Sequence, residues 1–159
     1  IKYINLGLSD NFGEKKIYIN KKTSTSTFSK LNINSKWLRL KNLLISGIKR
    51  NSFLRSEYVK ITTGDKFVKS IKCKNIDLLK IDTEGHEDLV LRGFKNNFLK
   101  NRIKFVLIEI HNNHMYTNYN PKVIENHLKK NNFILKKRFK FPFLAFEDRL
   151  YLNKKKIDI

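Results

Sequence analysis

Residues 76–94, IDLLKIDTEGHEDLVLRGF, constrain the fold more than any other stretch. The stretch opens on a run, Ile76–Ile81, too continuously apolar for a half-exposed strand and too short for a helix. Such a run predicts a buried strand of a parallel sheet. It stops at Asp82, and Glu84, Glu87 and Asp88 follow around Gly85, which allows a sharp turn. Val90, Leu91 and Phe94 then recur at helical spacing. Strand, acidic turn and helix together set carboxylates at the carboxyl edge of an α/β sheet, where ligands bind.

A second run gives that edge a neighbour. Residues 102–111, RIKFVLIEIH, are continuously apolar over Phe105, Val106, Leu107 and Ile108, which predicts a second buried, parallel strand. With a helix over about residues 84–100 between them, the two strands form a right-handed βαβ unit. Glu109 and His111 then fall on the same edge as Asp82.

The flanks are read around this unit. Residues 1–8 and 14–20 alternate enough to be strands, and the turn cluster at 9–13 predicts a hairpin between them. Residues 21–34 are polar, with Phe28, Leu31 and Ile33 as anchors, and read as an ordered loop or a lid. Ser35 caps a predicted helix carrying Trp37, Leu40, Leu44 and Ile48 on one stripe. Residues 58–63 read as a short strand and 65–71 as a turn or short helix. Asn120 and Pro121 open a further helix with Val123, Ile124 and Leu128 as its buried face. Residues 133–140 and 149–153 are the last strands, antiparallel at least in part.

Composition sets outer limits. A chain of 159 residues is read as one domain, 1–159. Its single cysteine, Cys73, excludes an internal disulfide, and no cysteine joins His111, His114 and His127, so no metal site is expected. Neither a signal peptide nor an apolar run of membrane-spanning length is present, which makes the cytoplasm the default compartment. The chain begins at Ile1 and its one methionine is Met115, so it reads as processed or as a fragment. A formal charge of +20, from 34 Lys and Arg against 14 Asp and Glu, attracts polyanions. The lysines are scattered apart from Lys154, Lys155 and Lys156, which reads chiefly as surface composition. There is no glycine-rich phosphate loop, serine-centred elbow or RNA-binding aromatic signature.

Asp82, Glu84, Glu109 and His111 are therefore the candidate site: general base, acceptor for a cationic or hydroxyl-bearing ligand, or oxygen ligands for a divalent ion. Glu87 and Asp88 read as first-turn partners of the helix dipole, and His86 as an exposed turn residue.

Residues 76–94 resemble the signature of the FkbM family of S-adenosylmethionine-dependent methyltransferases. The match runs Asp77-Leu78-Leu79-Lys80-Ile81-Asp82-Thr83-Glu84-Gly85, then Glu87, then Leu91-Arg92-Gly93. Leu107-Ile108-Glu109-Ile110-His111 is similar to the family's next strand, and residues 6–13 to its earlier serine-aspartate segment. Before the signature only Asp65 matches the family's usual pattern. The resemblance implies a Rossmann-like class I methyltransferase sheet, mostly parallel with a late antiparallel strand. It also implies an N-terminal truncation, because the glycine-rich cofactor loop is absent, and hence a partial domain of a longer enzyme. The implied activity is methyl transfer from S-adenosylmethionine to a hydroxyl of a glycan or other small-molecule or natural-product acceptor. The implied catalytic residues are Asp82, Glu84 and His111. Ser9, Asp10 and Asp82 would bind cofactor, and Glu84, Glu109 and His111 would bind substrate. The alternative is a non-catalytic, methyltransferase-like basic module that binds an anionic partner or RNA.

Overall fold

A computed structural model describes residues 2–20, 26–30, 32, 34–35, 53–112, 115–140 and 146–157. The helix expected after Ser35 lies outside them, as does His114. The protein is a mixed α/β structure with two sheets.

The smaller sheet holds β1 (Gly7–Ser9), β2 (Gly13–Asn20) and β3 (Phe53–Thr63), in the order β1-β3-β2. β3 lies between the other two, parallel to β1 and antiparallel to β2. The expected hairpin of residues 1–8 with 14–20 therefore does not form. Of the first segment only Gly7 and Leu8 are strand, and both segments pair with β3, which begins at Phe53, a partner that alternation alone cannot reveal. β3 is eleven residues long rather than a short strand over 58–63.

The larger sheet has the order β4-β5-β7-β6. β4 (Ile76–Ile81) and β5 (Ile103–His111) are parallel, as the two apolar runs predict. β6 (Phe133–Lys140) and β7 (Phe146–Asn153) form the late hairpin, and β7 also runs antiparallel to β5. Of the five strand pairings, three are antiparallel, so the sheets are mixed rather than mostly parallel. A chain returning through a short turn can only pair antiparallel, and β7 uses that return to join β5.

Helices cover one face of the larger sheet. α1 (Gly64–Ser70) is capped by Thr63, whose hydroxyl accepts from Lys66 N at 3.2 Å. The predicted long helix is two, α2 (Glu87–Gly93) and α3 (Lys95–Leu99), broken at the buried Phe94. Asp65 caps α3 from outside it, accepting from Asn96 N at 2.8 Å and from Asn97 N at 3.1 Å. α4 (Pro121–Lys130) starts as expected, with Asn120 accepting from Lys122 N.

Leu79 and Ile81 of β4, Val106, Ile108 and Ile110 of β5, and Ile124 and Leu128 of α4 make the core with α2. Each buried branched side chain contributes roughly 1.5–3 kcal/mol. Val123 of α4 is not among them: at 39 % exposure it points outward, since helical spacing puts it a quarter-turn from Ile124. β4 is likewise buried on one face only, for Leu78 is 52 % exposed.

Candidate active site

Parallel pairing fixes the first relationship in the site. Ile81 lies opposite Ile108, so Asp82 and Glu109, one residue further along each strand, are neighbours at the carboxyl edge. Burial raises the Glu109 carboxyl well above the usual range, reinforced by a hydrogen bond with Asp82. That same hydrogen bond, with help from Lys80, holds Asp82 below its ordinary value. The pair therefore shares one proton, carried by Glu109, and one negative charge, carried by Asp82. The Lys80 ammonium reaches Asp82 Oδ2 at 2.6 Å, with both side chains about half exposed. Asp148 of β7 faces this group across the sheet, and burial raises its carboxyl too.

His111 closes the same edge. It is 2 % exposed, with Nε2 3.8 Å from Glu109 Oε1, and its backbone N–H donates to Tyr119 Oη at 3.2 Å. Tyr116 and Tyr119 pack edge-on against its ring, with centroids 5.0 and 5.6 Å away. Tyr116 also donates its hydroxyl hydrogen to Glu84 Oε2, and burial, then the Glu84 charge, raises its phenol above its ordinary value. Tyr116 thus connects Glu84 to His111.

The turn carrying Glu84 is fixed from several sides. Glu84 has φ 53° and Gly85 φ 91°, a left-handed pair that costs a residue with a side chain on the order of 1 kcal/mol. Gly85 is needed twice over, because a Cβ there would lie 2.4 Å from the Tyr116 ring. Thr27 Oγ1 donates to the Glu84 carbonyl at 2.5 Å and Ser29 Oγ to the Gly85 carbonyl at 2.6 Å. Glu87 is not a solvated dipole partner but fully buried. Its Oε1 accepts from Thr83 N, Thr83 Oγ1 and Gly85 N at 3.0–3.1 Å, tying the helix start back onto the turn. Burial outweighs those bonds and pushes its carboxyl up to about 7. A turn held this way presents its side chains with little entropy left to lose.

Ser9 and Asp10 approach from the other sheet. Ser9 is fully buried and donates to Asp10 Oδ1 at 3.1 Å. Its oxygen lies 3.0 Å from His86 Nε2, so with the serine proton spent on Asp10 the imidazole carries its own proton on Nε2. His86, expected in an exposed turn, is 1 % exposed and stacks near Phe28. Burial and the Lys15 charge bring it down to about 4, so it is neutral at physiological pH. Gly93 permits this junction: a Cβ there would fall 2.1 Å from the Ser9 carbonyl oxygen.

The structure therefore brings Asp82, Glu109, His111 and Glu84 to one edge, through Tyr116. Ser9 and Asp10 meet the neighbouring turn through His86, with the Ser9 hydroxyl already committed. Sequence reasoning passed over Tyr116, Glu87 and His86. None of the three left a spacing signal: Glu87 reaches back four residues to Thr83, one more than a capping box spans, and His86 rather than Thr83 stands at the helix cap.

The acidic edge can hold a cation and accept a hydroxyl proton, with the Glu109 proton spent on Asp82. Among the described residues, no helix is long and apolar enough to cross a membrane. No curated protein and no solved structure matches the chain. The family model described as the methyltransferase FkbM domain matches residues 1–135. The signature turn, the two parallel strands that carry it and that match agree: the chain belongs to the FkbM methyltransferase domain family.

Proposed function

We propose that the chain transfers a methyl group from S-adenosylmethionine to a hydroxyl oxygen of a glycan or other small-molecule acceptor, in the cytoplasm. The observation that carries this reading is the Asp82–Glu109 pair, two carboxyl groups one residue beyond paired positions of adjacent parallel strands, Glu109 raised by burial and Asp82 lowered. The β4–α2–β5 unit supports a Rossmann-like reading of the larger sheet.

The residues fit such a cofactor by their charge. Asp82 keeps a negative charge facing the edge, and Asp10 is exposed at the end of β1, where it can accept from a hydroxyl. The bound cofactor supplies an electrophilic methyl group on a cationic sulfur. Asp82 would offset that cation, and Asp10, held in place by the buried Ser9 hydroxyl, would meet the far end. Glu84, fixed by Tyr116, orients the acceptor hydroxyl and takes its proton. Glu109 holds a proton already and spends it on Asp82, so it does not serve as base. His111 walls the acceptor side.

The test is transfer of labelled methyl to a panel of hydroxylated acceptors. Asp82→Ala is expected to abolish it, and near-normal turnover by that variant would remove Asp82 from the mechanism. The net charge of +20 favours a second reading, a non-catalytic basic module that binds RNA or another polyanion. Salt-sensitive RNA binding with no methyl transfer to any acceptor would select it.

A further inference from the structure

A cleft of about 480 Å3 opens between α4, β6 and β7. It lies on the opposite face of the larger sheet from the Asp82–Glu109 pair. Arg149 and Tyr151 sit opposite Ile108 and Val106, whose side chains enter the core beneath α4, whereas Asp148 sits opposite Glu109. The volume falls within the ~300–1,000 Å3 of small-molecule sites.

Its lining has two characters. Phe133, Leu135 and Tyr151 give an apolar side, and Lys129, Arg138, Arg149 and Lys154 a cationic one. Leu135 is 40 % exposed in the cleft, beside a register irregularity of β6 between Leu135 and Lys137. Irregularities of this kind re-aim side chains next to sites.

The cations divide by role. Arg149 is 5 % exposed, and its guanidinium donates to Glu147 Oε1 at 2.6 Å and to Glu125. Those bonds make it a fixed floor and occupy both carboxylates of the region. Lys129, Arg138 and Lys154 are exposed at the rim and come from three separate elements. Of these, Arg138 has only a 3.9 Å approach to Glu147. Lys154 is positioned by its backbone, whose N–H donates to the Asn132 carbonyl at 2.9 Å and so ties the turn after β7 to the turn after α4. Four cations thus face two carboxylates, leaving an excess of positive charge over an apolar wall. A plain solvated lysine face would need neither the apolar wall nor the buried arginine floor.

We propose that this cleft binds a small phosphate ester carrying a flat, partly apolar body, of the chemical type of a pyrimidine nucleotide, free or as one unit of a single strand. Lys129, Arg138 and Lys154 hold the phosphate, and the body lies along Phe133, Leu135 and Tyr151. The site is independent of the methyl-transfer reading.

Isothermal titration of the full chain with uridine 5′-monophosphate, uridine and inorganic phosphate tests it. The monophosphate is expected to bind at least tenfold more tightly than either fragment. The variant Arg138→Ala/Lys154→Ala should weaken it at least tenfold. The control Lys16→Ala/Lys60→Ala, which removes the same charge from the antiparallel β2–β3 pair, should stay within twofold. Circular dichroism checks that both variants are folded, and Lys154→Glu alone should reproduce the loss. An eight-residue uridine strand separates the sources: affinity above that of the monophosphate by more than the eightfold statistical factor assigns a strand, and anything less a free nucleotide. Absence of binding at millimolar monophosphate, equal affinity for uridine, or equal loss in the β2–β3 control would overturn the proposal.

Discussion

Asp82 and Glu109, one residue beyond paired positions of adjacent parallel strands, share a hydrogen bond in which Glu109 keeps the proton and Asp82 the charge. The division follows from burial: Glu109 is 7 % exposed, while the Asp82 side chain is 44 % exposed and has Lys80 beside it. Glu109→Gln keeps the hydrogen-bond donor and should retain methyl transfer within about fivefold, the worth of roughly 1 kcal/mol. As pH rises, Glu109 ionises against Asp82, so the wild type should lose activity on the alkaline side. The variant should not. A pH–rate profile of both proteins reads the difference directly.

His86 and Glu87 are adjacent, buried, and linked to pH in opposite senses. His86 is lowered to about 4, so between about 4 and 6.5 the unfolded chain binds more protons and stability rises with pH. Glu87 is raised to about 7, so between about 4.5 and 7 the folded chain binds more protons and stability falls as pH rises. The two slopes offset each other in the wild type. Glu87→Gln keeps the acceptor for Thr83 and Gly85 but removes its titration. From pH 4.5 to 6.5 its stability should rise by on the order of 2 kcal/mol relative to that of the wild type. Chemical denaturation across that range is the measurement.

Tyr116 connects Glu84, Gly85 and His111, and its hydroxyl can be removed without its ring. Tyr116→Phe should cost about 1–3 kcal/mol of stability through the lost bond to a charged acceptor. Methyl transfer should fall about tenfold as Glu84 loses its orientation. Steady-state kinetics should place the loss in kcat. A change confined to KM would assign Tyr116 to binding alone.

Lys80 competes for the charge that a cationic ligand would meet on Asp82. Lys80→Gln should tighten S-adenosylmethionine relative to its neutral, demethylated product by a few-fold, in keeping with the ~0.2–1 kcal/mol of an exposed ion pair. Parallel titrations of the two ligands give the ratio.

Gly93 lies where the end of β1 meets α2. Gly93→Ala places a methyl 2.1 Å from the Ser9 carbonyl oxygen, which is backbone and cannot step aside. A loss of about 2–3 kcal/mol or more is expected by thermal denaturation, since overpacking at a rigid contact is rarely absorbed.

The sequence made the β4–α2–β5 unit legible because its two apolar runs and the acids at their ends are local patterns. Asn120 and Pro121 announced α4 for the same reason. The partner of β1 was not legible, since Gly7 pairs with the distant Ile61 and short strands carry no address. Nor was the break at Phe94, a ring buried in the core directly after Gly93, whose close neighbour Ser9 comes from the other sheet. In the site, the strand periods placed Asp82, Glu109 and His111 on one edge. Tyr116 arrives from an irregular segment, and His86 is buried by Phe28 and Ser9 from elsewhere in the chain, contacts that no spacing encodes.

The central claim is that Asp82 holds the charge of a methyl-donating cofactor at this edge. Isothermal titration of S-adenosylmethionine into the wild type and into Asp82→Asn tests it most directly, because the substitution removes the charge and leaves the shape. The account predicts saturable binding by the wild type and at least tenfold weaker binding by the variant. Equal affinity in the two proteins would contradict it.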